Sequence, residues 1–257
     1  MTGSGVTPPI TSLRNPLVVD AARIGRDRVG REGTRTLLEG PVLVAEAVAA
    51  GAKLDLVFAT EGDTASARLA EAAGCRCIVV DAAVLAKVST TRHPQSPVAV
   101  MVVPTDRLTP GHRALVAWGI GDPGNCGALI RTAAGFGYDY IAGPGTAQTW
   151  SPKVIRAAAG GHFRTGVGRG VDLSDIGRNR TLVATVPRGG RAPGPLPANA
   201  AILIGSEPHG LPADVVSTCP IVVTIPMSVG SESLNAAVAG AIVAFFGVSG
   251  PSNLANP

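Results

Sequence analysis

Residues 121–137 read GDPGNCGALIRTAAGFG, and this stretch decides the fold. A short apolar run, Leu115 to Ile120, precedes it and has the length of a strand. Pro123, Gly124 and Gly127 are turn residues, and a helical pattern runs from Ala128. Asn125 is the expected N-cap. Leu129, Ala133 and Phe136 then fall at i, i+4 and i+7, an apolar face suited to packing on a sheet, with Arg131 pointing roughly the opposite way. A strand, a glycine turn and a helix in this order offer backbone N–H groups to a polar or anionic ligand, as loops of α/β proteins do. The bland alternative is an ordinary strand-to-helix turn with one solvated arginine.

Two later stretches narrow the choice. Residues 201–211, AILIGSEPHGL, form an apolar strand run that ends in Gly205, Ser206 and Glu207. Residues 221–240, IVVTIPMSVGSESLNAAVAG, form another strand run entering a loop and a helix. Gly205 and Gly230 permit close backbone approach, and Ile225, Met227 and Leu234 supply apolar walls.

In this order the three stretches resemble the motifs of the SpoU/TrmH family of RNA ribose methyltransferases, within the SPOUT superfamily. The first is similar to DPGNxGAxxRTAxxFG, the second to GSExxGL and the third to IPMxGxxxSLNxxxA. The resemblance is strong from about Leu115 onward and extends in outline over the whole chain. It implies an α/β protein in two parts: residues 1–106 as an L30e-like αβ sandwich that binds the RNA substrate, and residues 107–257 as a SPOUT α/β methyltransferase domain with a deep trefoil knot.

The resemblance also implies S-adenosylmethionine as cofactor, held by Ile204, Gly205, Ser206, Glu207, Gly210, Ile225, Met227, Ser233, Leu234 and Asn235. It implies a homodimer in which the arginine of one subunit serves the cofactor of the other. The reaction the resemblance implies is methyl transfer to a ribose 2′-hydroxyl, with Arg131, Asn125, Glu207, Ser233 and Asn235 at the matching positions. An arginine is a poor base, so Arg131 is read as stabilising the developing alkoxide and holding the adjacent phosphate. Taken one at a time, Asn125 and Ser233 also read as N-caps, Glu207 as a surface carboxylate and Asn235 as a polar helix residue.

Several positions depart from the family pattern. Ala237 replaces a small polar residue, RAAAGG at 156–161 lacks a common serine while Lys153 and Arg156 remain, and Cys126 stands where an aliphatic residue is usual. His209 lies inside the second motif with nothing evident to pair with it.

The 257 residues, 46% of them hydrophobic, are ample for one large or two modest cored domains. No apolar run reaches the roughly 18–20 residues of a membrane span, and MTGSGVTPPI lacks the charge and apolar run of a secretory leader. A cytoplasmic protein is expected, with no membrane partner. Cys75, Cys77, Cys126 and Cys219 show no metal-ligand or disulfide spacing, so no metal is expected and they read as small buried hydrophobes. No G-x-G-x-x-G follows a strand; GVGRG at 166–170 has the wrong spacing.

The net charge is only +4, yet of 22 basic residues just Lys53, Lys87 and Lys153 are lysine. Arginine is the better fork for phosphate, which leans toward nucleic acid. Arg14, Arg23, Arg26, Arg28, Arg31 and Arg35 cluster near the start, and Arg92 lies in the loop TTRHPQSP at 90–97; these are the candidate RNA contacts. A solvated, partly charge-paired helix face is the alternative for the cluster. From Thr36 strands and helices alternate, and PTDRLTPGH at 104–112 reads as a linker. PRGGRAPGPLPAN at 187–199 reads as a flexible connection. The last helix carries Leu234, Val238, Ala241 and Phe245 as a stripe, either core or interface. Ribosomal RNA is the favoured substrate, with tRNA, or a noncatalytic RNA-binding or ribosome-assembly role on the same fold, as the alternatives.

Overall fold

The computed structural model describes residues 8–26, 34–228 and 233–248. The described chain divides into two compact units, the first reaching to Pro104 and including Trp150–Pro152, the second containing Thr105–Thr149 and the chain from Lys153.

The first unit contains α1 (Pro16–Arg26), β1 (Arg35–Glu39), α2 (Pro41–Ala49), β2 (Leu54–Thr60), α3 (Thr64–Ala72), β3 (Arg76–Val80), α4 (Ala82–Val88) and β4 (Val98–Val102). Its sheet has the order β1-β4-β2-β3, antiparallel except between β2 and β3. Asp63 and Asp81 cap α3 and α4 by accepting from Ser66 N and Val84 N, so each helix starts where a short acidic side chain meets the free N–H groups. Phe58, Leu37, Val98 and Val84 meet in a core that α1 closes through Val18 and Ala21.

The second unit contains β5 (Ala114–Trp118), α5 (Pro123–Phe136), β6 (Asp139–Ala142), α6 (Pro152–Ala158), β7 (Val167–Arg169), α7 (Leu173–Gly177), β8 (Thr181–Thr185), β9 (Ala200–Gly205), α8 (Ala213–Ser217), β10 (Ile221–Val223) and α9 (Ala236–Gly247). A 3-10 turn spans Gly161–Phe163. The six strands lie in the order β10-β8-β9-β5-β6-β7, and every pairing is parallel. Such a sheet is covered on both faces, which is why β5 and β9 read as unbroken apolar runs. Chain order runs outward from β5 through β6 to β7, then restarts at β8 on the other side. The reversal lies between β5 and β9, where open parallel sheets place their ligand crevice, beyond the carboxyl ends of the strands.

Several expectations change here. The helix after β5 begins at Pro123 and is capped by Asp122, whose Oδ1 accepts from Asn125 N at 2.8 Å. Proline fits the first helical position because its missing N–H has no acceptor to serve there. Asn125 is therefore inside the helix and is not its cap, and Gly124 and Gly127 are helical. Gly127 is needed for packing: a Cβ there would lie 2.4 Å from Ala157 Cβ and 2.7 Å from Val154 O of α6.

The GVGRG stretch supplies β7, a three-residue edge strand too short to show a period. The expected linker is tied down, since Asp106 accepts from Arg169 N at 2.7 Å and from Arg169 Nε at 2.8 Å. The 187–199 segment is irregular but held, because Arg191 bridges Val223, Gly190 N donates to Thr224 Oγ1 at 2.9 Å and Leu196 is buried. Cys126 and Cys219 are buried, whereas Cys75 and Cys77 beside and in the edge strand β3 are half-buried. Val238 and Phe245 of the expected stripe are about half exposed, so that face of α9 is not core.

Candidate functional site

At the carboxyl ends of β8, β9 and β10 lies a cavity of about 430 Å³, within the range of small-ligand sites. It is lined from four segments: Thr185 to Pro187 after β8, Ile204 to Leu211 around the end of β9, Val223, Ile225 and Met227 from β10 onward, and Ser233, Leu234, Ala236 and Ala239 at the start of α9. Ile204, Gly205, Ser206, Glu207, Gly210, Ile225, Met227, Ser233 and Leu234 thus all face one space, whereas Asn235 stands beside it. Gly230 lies outside the described residues.

The loop after β9 folds back on itself. Gly210 N donates to Ser206 O at 2.8 Å, and Gly210 has φ +64°, a conformation that favours glycine. A Cβ on Gly205 would sit 2.2 Å from the Gly210 carbonyl carbon, so any side chain there would force the loop open. The two glycines of the GSEPHGL stretch are therefore explained by a backbone-to-backbone approach within the loop.

Three polar side chains from distant parts of the chain meet beside this loop. Asn125 Nδ2 donates to Glu207 Oε1 at 3.0 Å, and Asn235 Nδ2 donates to the same oxygen at 2.7 Å and to Asn125 Oδ1 at 2.9 Å. The Ala236 N–H adds a 3.4 Å contact to Glu207 Oε1. Asn235 Oδ1 meanwhile caps α9, accepting from Ala237 N at 3.0 Å and Val238 N at 3.2 Å; Asn235, not Ser233, is the cap. Asp122 makes this possible. By capping α5 it leaves the Asn125 amide free to cross to Glu207. The triangle locks the starts of α5 and α9 to the loop after β9.

Arg131 lies on α5, exposed, and does not line the cavity. Its guanidinium has no hydrogen-bonded or ion-paired partner among the described residues. Cys126, one position beyond Asn125, points inward: its Sγ donates to Ile120 O at 3.2 Å, and burial pushes its thiol pKa up, which removes it as a nucleophile. Sequence reasoning missed Asp122 as the cap and Thr224 as the residue that fastens the 187–199 segment beside the cavity. The Asp-Pro pair was the available signal for the first; nothing local marks the second.

Of the basic residues, Arg14, Arg23 and Arg26 line an open depression with Lys87, Leu13, Val19 and Ala22 in the first unit. Arg92 is exposed in its loop. Arg35 is engaged in a two-pronged ion pair with Asp20, at 2.8 and 3.3 Å. Arg28 and Arg31 lie outside the described residues. Among the described residues no group of three or more His, Cys, Asp or Glu side chains could hold a metal ion, and no helix is long and apolar enough to cross a membrane.

Residues 112–245, just over half of the chain, match the SpoU rRNA Methylase family, and residues 16–99 match the MRM3-like substrate binding domain. The 23S rRNA (guanosine(2553)-2′-O)-methyltransferase RlmP of Bacillus subtilis is 27% identical over 92% of this chain and 97% of its own length. A tRNA/rRNA methyltransferase of Mycobacterium avium, itself uncharacterized, is 30% identical over 94% of this chain and 86% of its own. The crystal structure of an AdoMet-bound rRNA methyltransferase from Sinorhizobium meliloti superposes with a TM-score of 0.80 at 25% identity, covering 93% and 96% of the two chains.

Proposed function

The chain belongs to the SpoU rRNA methylase family, and from that premise we propose that it transfers a methyl group from S-adenosylmethionine to a ribose 2′-hydroxyl of 23S rRNA. The observation that carries this reading is the Asn125–Glu207–Asn235 triangle beside the 430 Å³ cavity. It unites all three sequence motifs in one place. The printed activity of the Bacillus subtilis relative supports the choice of ribosomal RNA.

The cavity suits the cofactor. Ile204, Ile225, Met227 and Leu234 offer apolar walls for an adenine ring, Gly205 and Gly210 bring backbone close, and Ser206 and Ser233 supply hydroxyls. The cofactor, when bound, supplies an electrophilic sulfonium methyl. The chain's own residues do the rest. Glu207, held by two amides, fixes the loop that walls the cavity. Arg131 presents a planar fork of N–H donors, so it is suited to gripping the phosphate next to the target ribose and to stabilising the oxygen as its proton leaves. The basic depression of the first unit, with Arg92, holds RNA through phosphates.

The finer architecture belongs to the same proposal. The first unit is L30e-like, the second is a SPOUT domain whose loops after β9 and β10 form a deep trefoil knot, and the enzyme works in the cytoplasm as a homodimer. The absence of Arg131 from its own chain's cavity lining supports a site completed by a partner protomer, and the exposed Val238, Phe245 and Phe246 support an apolar interface.

The test is transfer of labelled methyl to separate pools of unmodified large-subunit rRNA and tRNA, followed by mass mapping of the labelled nucleotide. Label on an rRNA ribose is expected. Label on tRNA alone would move the substrate to that class, and no label with no cofactor binding would leave an RNA-binding protein.

A further inference from the structure

The loop after β9 presents a side chain that the proposed chemistry does not use. His209 is exposed and lines the cavity two residues beyond Glu207. Among the described lining residues it is the single side chain able to carry positive charge. The others are apolar, glycine or hydroxyl-bearing, apart from the Glu207 carboxylate. The turn that presents it is fixed: the 2.8 Å Gly210 N to Ser206 O bond closes it, and the Gly205 to Gly210 approach presses its two ends together. The backbone of His209 is therefore held in place before any ligand arrives.

Charge complementarity narrows what this imidazole meets. Glu207 Oε1 is occupied by the two amides and the Ala236 N–H, so a negative charge is built into the cavity wall. S-adenosylmethionine carries two positive centres and one carboxylate. Its positive centres would be drawn toward the Glu207 carboxylate. Its carboxylate, set beside Glu207 with only the neutral hydroxyls of Thr185, Ser206 and Ser233 as other side-chain donors, would suffer like-charge repulsion and loss of hydration. We propose that His209 receives the cofactor's carboxylate, a ring N–H donating to it, and that this contact selects the intact amino-acid tail. The inference rests on the cavity being the cofactor site.

Calorimetric titration of the full-length protein with S-adenosylmethionine and with its decarboxylated analogue tests it, because the two share adenosine and sulfonium and differ in the carboxylate. The wild-type protein is expected to prefer the intact cofactor by about tenfold or more. His209→Ala is expected to lose that preference by weakening only the intact cofactor. His209→Lys, which again places an N–H donor there, is expected to recover it. Unchanged binding of the decarboxylated analogue certifies that the variants are folded. A preference that survives in His209→Ala, or one that is absent from the wild type, overturns the proposal. A wild-type protein that binds neither molecule removes the cofactor reading itself, and the proposal falls with it.

Discussion

Arg131 and Asn125 sit on one helix, yet their surroundings assign them different work. Asn125 is locked into a three-residue triangle, whereas the Arg131 guanidinium is exposed with no partner among the described residues. A charged group left unpaired at a helix surface costs little in water and is ready for an anionic ligand. Arg131→Ala is therefore expected to reduce methyl transfer by a hundredfold or more, on the scale of removing one transition-state donor, with cofactor affinity within about twofold of wild type. Single-turnover transfer and calorimetry on the same preparation measure both; full activity in the variant would sink the proposed role. Asn125, Glu207 and Asn235 were identifiable by resemblance, but their mutual bonding was not, because it joins positions 82 and 110 residues from Asn125. The start of α5 was misread for a local reason. Asp122 and Asn125 are both good caps, and only the fit of Pro123 to the first helical position separates them.

At the scale of elements, the glycines of α5 divide by what they touch. Gly127 faces α6 at a distance where a methyl group would overlap Ala157 and the Val154 carbonyl, while Gly135, in the same helix, has nothing within 4 Å. Gly127→Ala is expected to lower stability by about 1–3 kcal/mol through overpacking, despite its better helix propensity. Gly135→Ala is expected to raise stability by about 0.5–1 kcal/mol. Urea unfolding of the pair checks the contrast, and equal shifts would refute it.

The 3-10 turn after α6 carries another dependence. His162 is buried, its Nε2–H donating to Thr149 O at 2.8 Å, and burial lowers its pKa to about 4. The unfolded chain takes up a proton near pH 6.5 and the folded one near 4, so the contribution is intact above 6.5. It is lost as pH falls toward 4, to a limit of roughly 3 kcal/mol. His162→Gln, which keeps an N–H donor, should flatten that acid limb in denaturant titrations at stepped pH. An unchanged limb would show that His162 does not set it.

Elements were legible where pattern and burial agree: the long apolar strands β5 and β9 could be read directly, but β7 could not. The last helix shows why. Valine, isoleucine, alanine and phenylalanine surround α9, so a stripe at helical spacing does not reveal which face is inside. The structure turns Gly240, Val243 and Ala244 inward, since a Cβ on Gly240 would lie 2.5 Å from Leu129 Cδ2, and leaves Val238, Phe245 and Phe246 outward.

For the whole molecule, that outward face sets a question of symmetry. Phe245 packs tilted against the half-buried Phe136 at 5.9 Å and edge-on against Phe246 at 5.5 Å, so α5 and α9 share an aromatic cluster whose α9 members are exposed. In a two-fold dimer one patch covers its own copy. Subunit mixing decides whether the site is shared. Arg131→Ala and Glu207→Ala chains are each expected to be inactive alone. Co-expressed with different tags, random pairing makes about half the dimers mixed, and in each mixed dimer one cavity has both an intact Glu207 and an intact Arg131 from the other chain. Recovery of about a quarter of wild-type activity is then expected. If Arg131 serves the cavity of its own chain, no pairing restores a complete site, and the mixture stays as inactive as its parents.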